Sequence, residues 1–132
     1  MVFVLIKNSI WLFMQDKSDE NWRVGLDCLQ KQCFNAASSR IYYAVFQAVL
    51  LWARNKKGYN KNHGVHPDMI RYVRTEGKAR HIYGRKLAEL RSLRETADYQ
   101  PDTPSAESLD ALLSVSEQIR DYYLKKAQHE IH

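Results

Sequence analysis

Arg40, Tyr43, Gln47 and Arg54 are the residues of this chain whose types and spacing could do chemistry together. At 100° per residue they fall within a few tens of degrees of one another on a helix, and so form one polar stripe. A guanidinium grips phosphate through two parallel hydrogen bonds, while a phenol and an amide can reach a phosphate or a base. Around the stripe the helix is apolar. Ile41, Ala44, Val45, Phe46, Ala48, Val49, Trp52 and Ala53 cover well over half its circumference, the mark of a helix buried nearly all round. A bare guanidinium there would cost several kcal/mol, so it needs either a partner or a wet cleft. Two readings follow. Arg40 sits in a structural ion pair with Asp98 or Glu95, or the stripe lines a cleft.

The element that must position the stripe runs from Asn35 to Gly58. Asn35 can cap its first turn, Lys56 and Lys57 suit the negative end of the dipole, and Gly58 fits a left-handed stop. The spacing predicts a helix over Ala36 to Lys57, roughly 33 Å long.

Three segments carry a family resemblance. Ala37-Ser38-Ser39-Arg40-Ile41-Tyr42-Tyr43-Ala44-Val45-Phe46 resembles the Ala-x-Ser-Arg-x-Tyr-Tyr-Ala-x-Phe signature of HEPN-domain proteins. Lys61-Asn62-His63-Gly64-Val65 resembles the family's Lys-x-His-x-Gly-Val turn with one residue missing. Leu90-Arg91-Ser92-Leu93-Arg94-Glu95-Thr96-Ala97-Asp98-Tyr99 resembles its Leu-x-x-Leu-Arg-x-x-Ala-Asp-Tyr. The resemblance extends from about Ser18 to Gln128. It implies an up-and-down helical bundle with Arg40 and Gln47 at the catalytic positions, Gln47 a degenerate one; the binding candidates, from the stripe and the matched segments together, are Tyr43, Arg54, His63, Arg91, Arg94 and Tyr99.

Active members of that family are ribonucleases that need no metal, with an Arg, four to six intervening residues and a His at a dimer cleft. Six intervening residues bring the second group back to within about 20° of the first, two turns along. A twofold axis would then pool two arginines and two histidines around one phosphate. The arginine would hold the developing charge and the histidine would move the 2′-hydroxyl proton. In this chain the histidine position is Gln47. An amide has no useful pKa near neutrality, so Gln47 can hold a phosphate but cannot act as acid or base. Arg74 and His81 share the spacing, yet Gly77 between them should break a common helix. In some members a Tyr two residues beyond the His receives AMP from a partner nucleotidyltransferase; here that place is Val49.

Three functions remain open on the sequence. One is a binding module for RNA or a nucleotide, working beside a minimal nucleotidyltransferase in a toxin–antitoxin-like or defence system. The second is a metal-independent endoribonuclease toxin, and the third a purely structural helical dimer. All three imply a homodimer, no cofactor and no metal.

Charge favours a polyanionic partner. From Arg54 to Arg94 there are twelve Lys or Arg against three acids, a net +9 in a chain of +5, so the remainder carries −4. His63 and His66 lack the third ligand a zinc site needs. Cys28 and Cys33, five apart, point about 140° from each other on one helix, which disfavours a disulfide. A reducing, cytoplasmic setting is the expectation. No Gly-rich phosphate loop, Ser-His-Asp order or paired-carboxylate signature is present.

With 132 residues and 45% hydrophobic content the chain makes one all-α domain, residues 1–132, of about five helices. Met1 to Met14 forms an extension ahead of the resemblance; it lacks the marks of a signal peptide and is too short to span a bilayer. Either Met14 is the physiological start, or the extension buries itself against the core or a second subunit. Ser18 should cap the first helix, whose Trp22, Leu26, Leu29 and Cys33 form a stripe packed antiparallel on the long helix. Pro67 opens a third helix with Met69, Ile70 and Val73 inward, and Arg85 to Ala97 makes a fourth with Leu87, Leu90, Leu93 and Ala97 inward. Thr103 should cap the last, with Leu109, Leu112, Ile119 and Tyr123 inward to about Gln128.

Overall fold

Five helices and no strand make up the described residues: α1 Val2–Gln30, α2 Phe34–Lys56, α3 Val65–Arg74, α4 Lys78–Tyr99 and α5 Ala106–Gln128. The computed structural model describes residues 2–128, with side chains from residue 13 onward. The alternatives set out for Met1–Met14 therefore turn largely on side chains outside the described residues.

Helix α2 is the core of the bundle. All eight apolar positions named for it are buried, joined by Ala37, Tyr42 and Leu51. Leu87 and Leu90 of α4 and Leu109, Leu112, Ile119 and Tyr123 of α5 close over it. Trp52 and Tyr123 meet at 4.7 Å between ring centroids. Gly58 stops α2 in the left-handed conformation, φ 65°, as its sequence position implies.

Four helix starts differ from the sequence expectation. Ser18 does not cap a helix but sits in the middle of α1, buried, where its hydroxyl donates to the Ala44 carbonyl of α2 at 2.7 Å. The same oxygen accepts from Arg120 Nε of α5 at 3.1 Å, and Arg120 also pairs with Asp19. Cap-forming chemistry has been used between helices instead. Helix α4 begins seven residues before Arg85 and runs through Gly84, where a Cβ would meet the side chain of Arg74 and, at 3.1 and 3.2 Å, its backbone N and Cα. Ser105, not Thr103, caps α5, its hydroxyl accepting the Ser108 N–H at 3.1 Å. Asn35 lies inside the first turn of α2, two residues past the N-cap position, which Cys33 holds.

The α1 stripe also shifts. Trp22 and Leu29 pack on the core, but Leu26 is 37% exposed and Cys33 lies beyond the end of α1. Both cysteines are free. The residue that lets α1 approach is Gly25. A Cβ there would come within 2.9 Å of Ile41 Cγ1, 3.2 Å of Ile41 N and 3.3 Å of Arg40 Cβ. That close approach delivers α1 to the foot of the polar stripe.

Candidate nucleic-acid interface

Gly25 sets the spacing at which Asn21, one turn earlier on α1, faces α2. Arg40 Nη1 donates to Asn21 Oδ1 at 2.9 Å, and Asn21 Nδ2 donates to Gln47 Oε1 at 2.9 Å. The donor sense of this chain is dictated chemically. Arginine can only donate, so Asn21 must turn its oxygen to Arg40 and its nitrogen to Gln47, which must answer with oxygen. Gln47 therefore keeps its NH₂ for anything outside the chain. Arg40 and Gln47 together form a surface of donors, with no lone pair placed to take a proton.

Arg40 is exposed, and neither carboxylate proposed for it is its partner: Asp98 pairs with Arg94 at 3.0 Å and Glu95 with Arg91 at 3.1 Å. Ser39 adds a hydrogen bond to Asp98 at 2.8 Å, tying α2 to the end of α4.

Tyr43 is the hub on the same stripe. Arg94 lies over its ring at 5.1 Å, and His66 and Phe46 meet it edge-on at 6.1 and 6.3 Å. Tyr99 is exposed, with Arg94 over its ring at 5.7 Å and Arg94 Nη2 donating to its hydroxyl at 3.4 Å. The structure so brings together Arg40, Tyr43, Gln47, Arg91, Arg94 and Tyr99. Arg54 is set apart. Two turns beyond Gln47, it donates to the loop carbonyls of Tyr59 and Lys61 at 3.4 and 3.3 Å and covers the Tyr59 ring at 5.7 Å. His63 is exposed in that same loop, and the structure brings His66 to the stripe in its stead.

Sequence reasoning missed Asn21 and His66. Asn21 belongs to a different helix, and its only signal was Gly25 one turn away on the same face. In the sequence His66 reads only as a possible metal ligand; in the fold it packs face to face on Phe46 at 4.2 Å and meets the Tyr42 hydroxyl through Nδ1 at 2.6 Å. Burial first, then the positive charges of Arg94 and Arg91, hold its pKa below the ordinary 6.5. The unfolded chain binds the proton more readily than the folded one in that range, so stability should fall as pH drops below about 6.5. Thermal melts from pH 7 to pH 5 should show a declining Tm, and His66→Phe should flatten part of that slope. An unchanged slope would place the pH dependence elsewhere.

No group of three His, Cys, Asp or Glu able to hold a metal occurs among the described residues. Among them, no helix is long and apolar enough to cross a membrane.

An all-helical bundle built on an Arg-x₆-Gln helix, with an Ala-Asp-Tyr end to the helix beside it, defines the class. The HEPN domain model matches residues 16–127, and the chain belongs to the HEPN family. A protein of Methanocaldococcus jannaschii, named as a putative toxin, is 30% identical over 115 residues, covering 86% of this chain and 85% of that one. No solved structure matches the chain.

Proposed function

We propose that this chain is an RNA- or nucleotide-binding HEPN module that acts as a homodimer beside a minimal nucleotidyltransferase, in a toxin–antitoxin-like system. The orientation of the Gln47 amide carries the reading. With its oxygen committed to Asn21, the position that would need a proton acceptor offers N–H groups instead. Such a surface binds a phosphate oxygen and stabilises negative charge, but it lacks the proton transfer worth about 10²- to 10⁴-fold in rate. The +9 segment supplies the field that draws a polyanion in. The toxin name of the relative favours one second reading, a metal-independent endoribonuclease. EDTA-resistant cleavage of RNA by the unmodified protein would replace the first reading with the second.

Binding to a single-stranded RNA should weaken with salt, the logarithm of affinity falling about 0.7 per phosphate neutralised against log salt. A flat titration, or no binding at low salt, removes the proposal. Sedimentation at micromolar concentration should show a dimer; a monomer alone would remove the paired cleft.

Arg40→Ala separates function from structure. Arg40 is exposed and its partner is a neutral amide, so the change should cost under about 1 kcal/mol of stability. RNA affinity should nonetheless fall several-fold. A loss of about 3–5 kcal/mol would instead mark a buried ion pair.

A further inference from the structure

We infer that His66, Arg94 and Arg91 form a second phosphate-binding subsite, across Tyr43 from the Arg40–Gln47 pair, which holds a nucleotide phosphate while its base lies on Tyr99; the inference rests on the RNA- or nucleotide-binding reading above. Tyr42 is wholly buried, and its hydroxyl meets His66 Nδ1 at 2.6 Å. A buried hydroxyl that does not donate loses the free energy of its hydrogen bond, so the proton belongs on the Tyr42 oxygen and points at Nδ1. The imidazole is then the neutral tautomer whose Nε2 carries the hydrogen.

Packing fixes where that N–H can be. The ring lies flat on Phe46, inclined by 16°, and Tyr42 stacks on it at 5.7 Å and 24°. With Nδ1 tied to Tyr42, Nε2 is the ring nitrogen left for a ligand. His66 is also the second residue of α3, whose N-terminal end carries the positive pole of the helix through the Val65 and His66 N–H groups; Pro67 has none, and the Asp68 N–H is bonded to the Gly64 carbonyl at 3.3 Å. That end favours an anion and disfavours a proton on the ring, as do Arg94 and Arg91 on α4.

Two carboxylates compete with a ligand, and both are accounted for. Arg91 meets Glu95 and Arg94 meets Asp98 through Nε in each case. The Arg94 bond holds one edge of its guanidinium and its Nη2 donates to the Tyr99 hydroxyl at 3.4 Å, while Arg91 Nε lies 3.1 Å from Glu95 without a hydrogen bond; Nη1 of Arg94 and the Nη groups of Arg91 are the donors a phosphate would meet. A terminal phosphomonoester presents three oxygens to these donors where a diester within a strand presents two, so it should be held better. Tyr99 is 71% exposed; Arg94 lies over one face of its ring at 5.7 Å, and the other face is one on which a base can stack without sequence preference.

The test uses the full-length protein, 5′-AMP, inorganic phosphate and an octauridylate without a terminal phosphate. Long-range ¹⁵N–¹H spectra should show Nδ1 of His66 unprotonated and Nε2 protonated, with the Nε2 signal moving on titration by 5′-AMP and by phosphate. His66→Phe keeps the stacked ring but not the N–H, and should weaken 5′-AMP by about tenfold or more, the worth of one bond to a charged group. His66→Gln, which restores an N–H, should recover most of that loss. If octauridylate binds as expected but His66→Phe leaves 5′-AMP unaffected, or if the ring proves protonated at Nδ1, this subsite is wrong and the module reading stands. If neither 5′-AMP nor octauridylate binds at low salt, both fall.

Discussion

Asn21→Asp combined with Gln47→His is expected to cleave RNA without metal, while Gln47→His alone gains far less. The reason lies in who donates to whom. A histidine at position 47 would meet Asn21 Nδ2, which can only donate, so its lone pair would be consumed and its N–H would face the substrate. Asn21 cannot turn over, because Arg40 needs its oxygen. An aspartate at 21 resolves the conflict: one oxygen still accepts from Arg40, the other accepts the imidazole N–H, and the lone pair turns outward. In the cleavage step the 2′-oxygen bonds to phosphorus, its proton passes to that lone pair, and the 5′-oxygen leaves with a proton from the partner imidazolium or water. In Ser-His-Asp enzymes an orienting Asp→Asn change that leaves the wrong tautomer costs about 10⁴ in kcat. The double variant should therefore exceed the single by about 10²-fold or more, with EDTA without effect. Adding Arg40→Ala should abolish the activity. Equal rates for the single and double variants, measured on one labelled RNA, would show that Asn21 does not control position 47.

Gly25→Val should be the most damaging of the small substitutions near the site. The Cβ alone would press on Ile41 at 2.9 Å and on Arg40 Cβ at 3.3 Å, and valine adds two methyl groups beyond it. Valine is the better helix former by a few tenths of a kcal/mol, so an isolated α1 would favour the change. Close packing decides the sign, because part of the obstacle is the Ile41 backbone nitrogen at 3.2 Å, which cannot rotate away. A loss of about 1–3 kcal/mol is expected, on the order of 4 °C in Tm per kcal/mol. Introduced into the Asn21→Asp/Gln47→His protein, it should also remove the cleavage, since Asn21 rides on the same face one turn away. A Tm at or above that of the parent would show that α1 can shift without cost.

The bundle was legible in the sequence because α2 is apolar on nearly every side, and a helix of that kind needs neighbours all round it. Its buried set matches the pattern down to Ala53. The starts of helices were less legible. Ser18 has the chemistry of a cap, and only the neighbouring Ala44 carbonyl and Arg120 reveal that it serves as a tie between helices. In the site, Arg40, Tyr43 and Gln47 share one periodicity and could be read together. Asn21 could not, because no single-helix pattern links it to them. Arg54 followed that periodicity perfectly and still turned elsewhere, since the Gly58 stop folds the next loop back over its guanidinium.

The bridge through Asn21 has a consequence for anyone who would transplant this motif. The ten residues Ala37–Phe46 and their extension to Gln47 look like a self-contained cassette that could be grafted onto another helical scaffold. They are not. The cassette would carry both ends of the Arg40–Gln47 relay and leave behind its middle, nineteen positions upstream of Arg40 on α1. Without an amide at that point, and a glycine one turn after it to admit the partner helix, position 47 is free to present either face of its side chain. The smallest unit that keeps the relay is the pair α1–α2 with its crossing intact, and the new scaffold must still cover the faces of α2 that α4 and α5 bury.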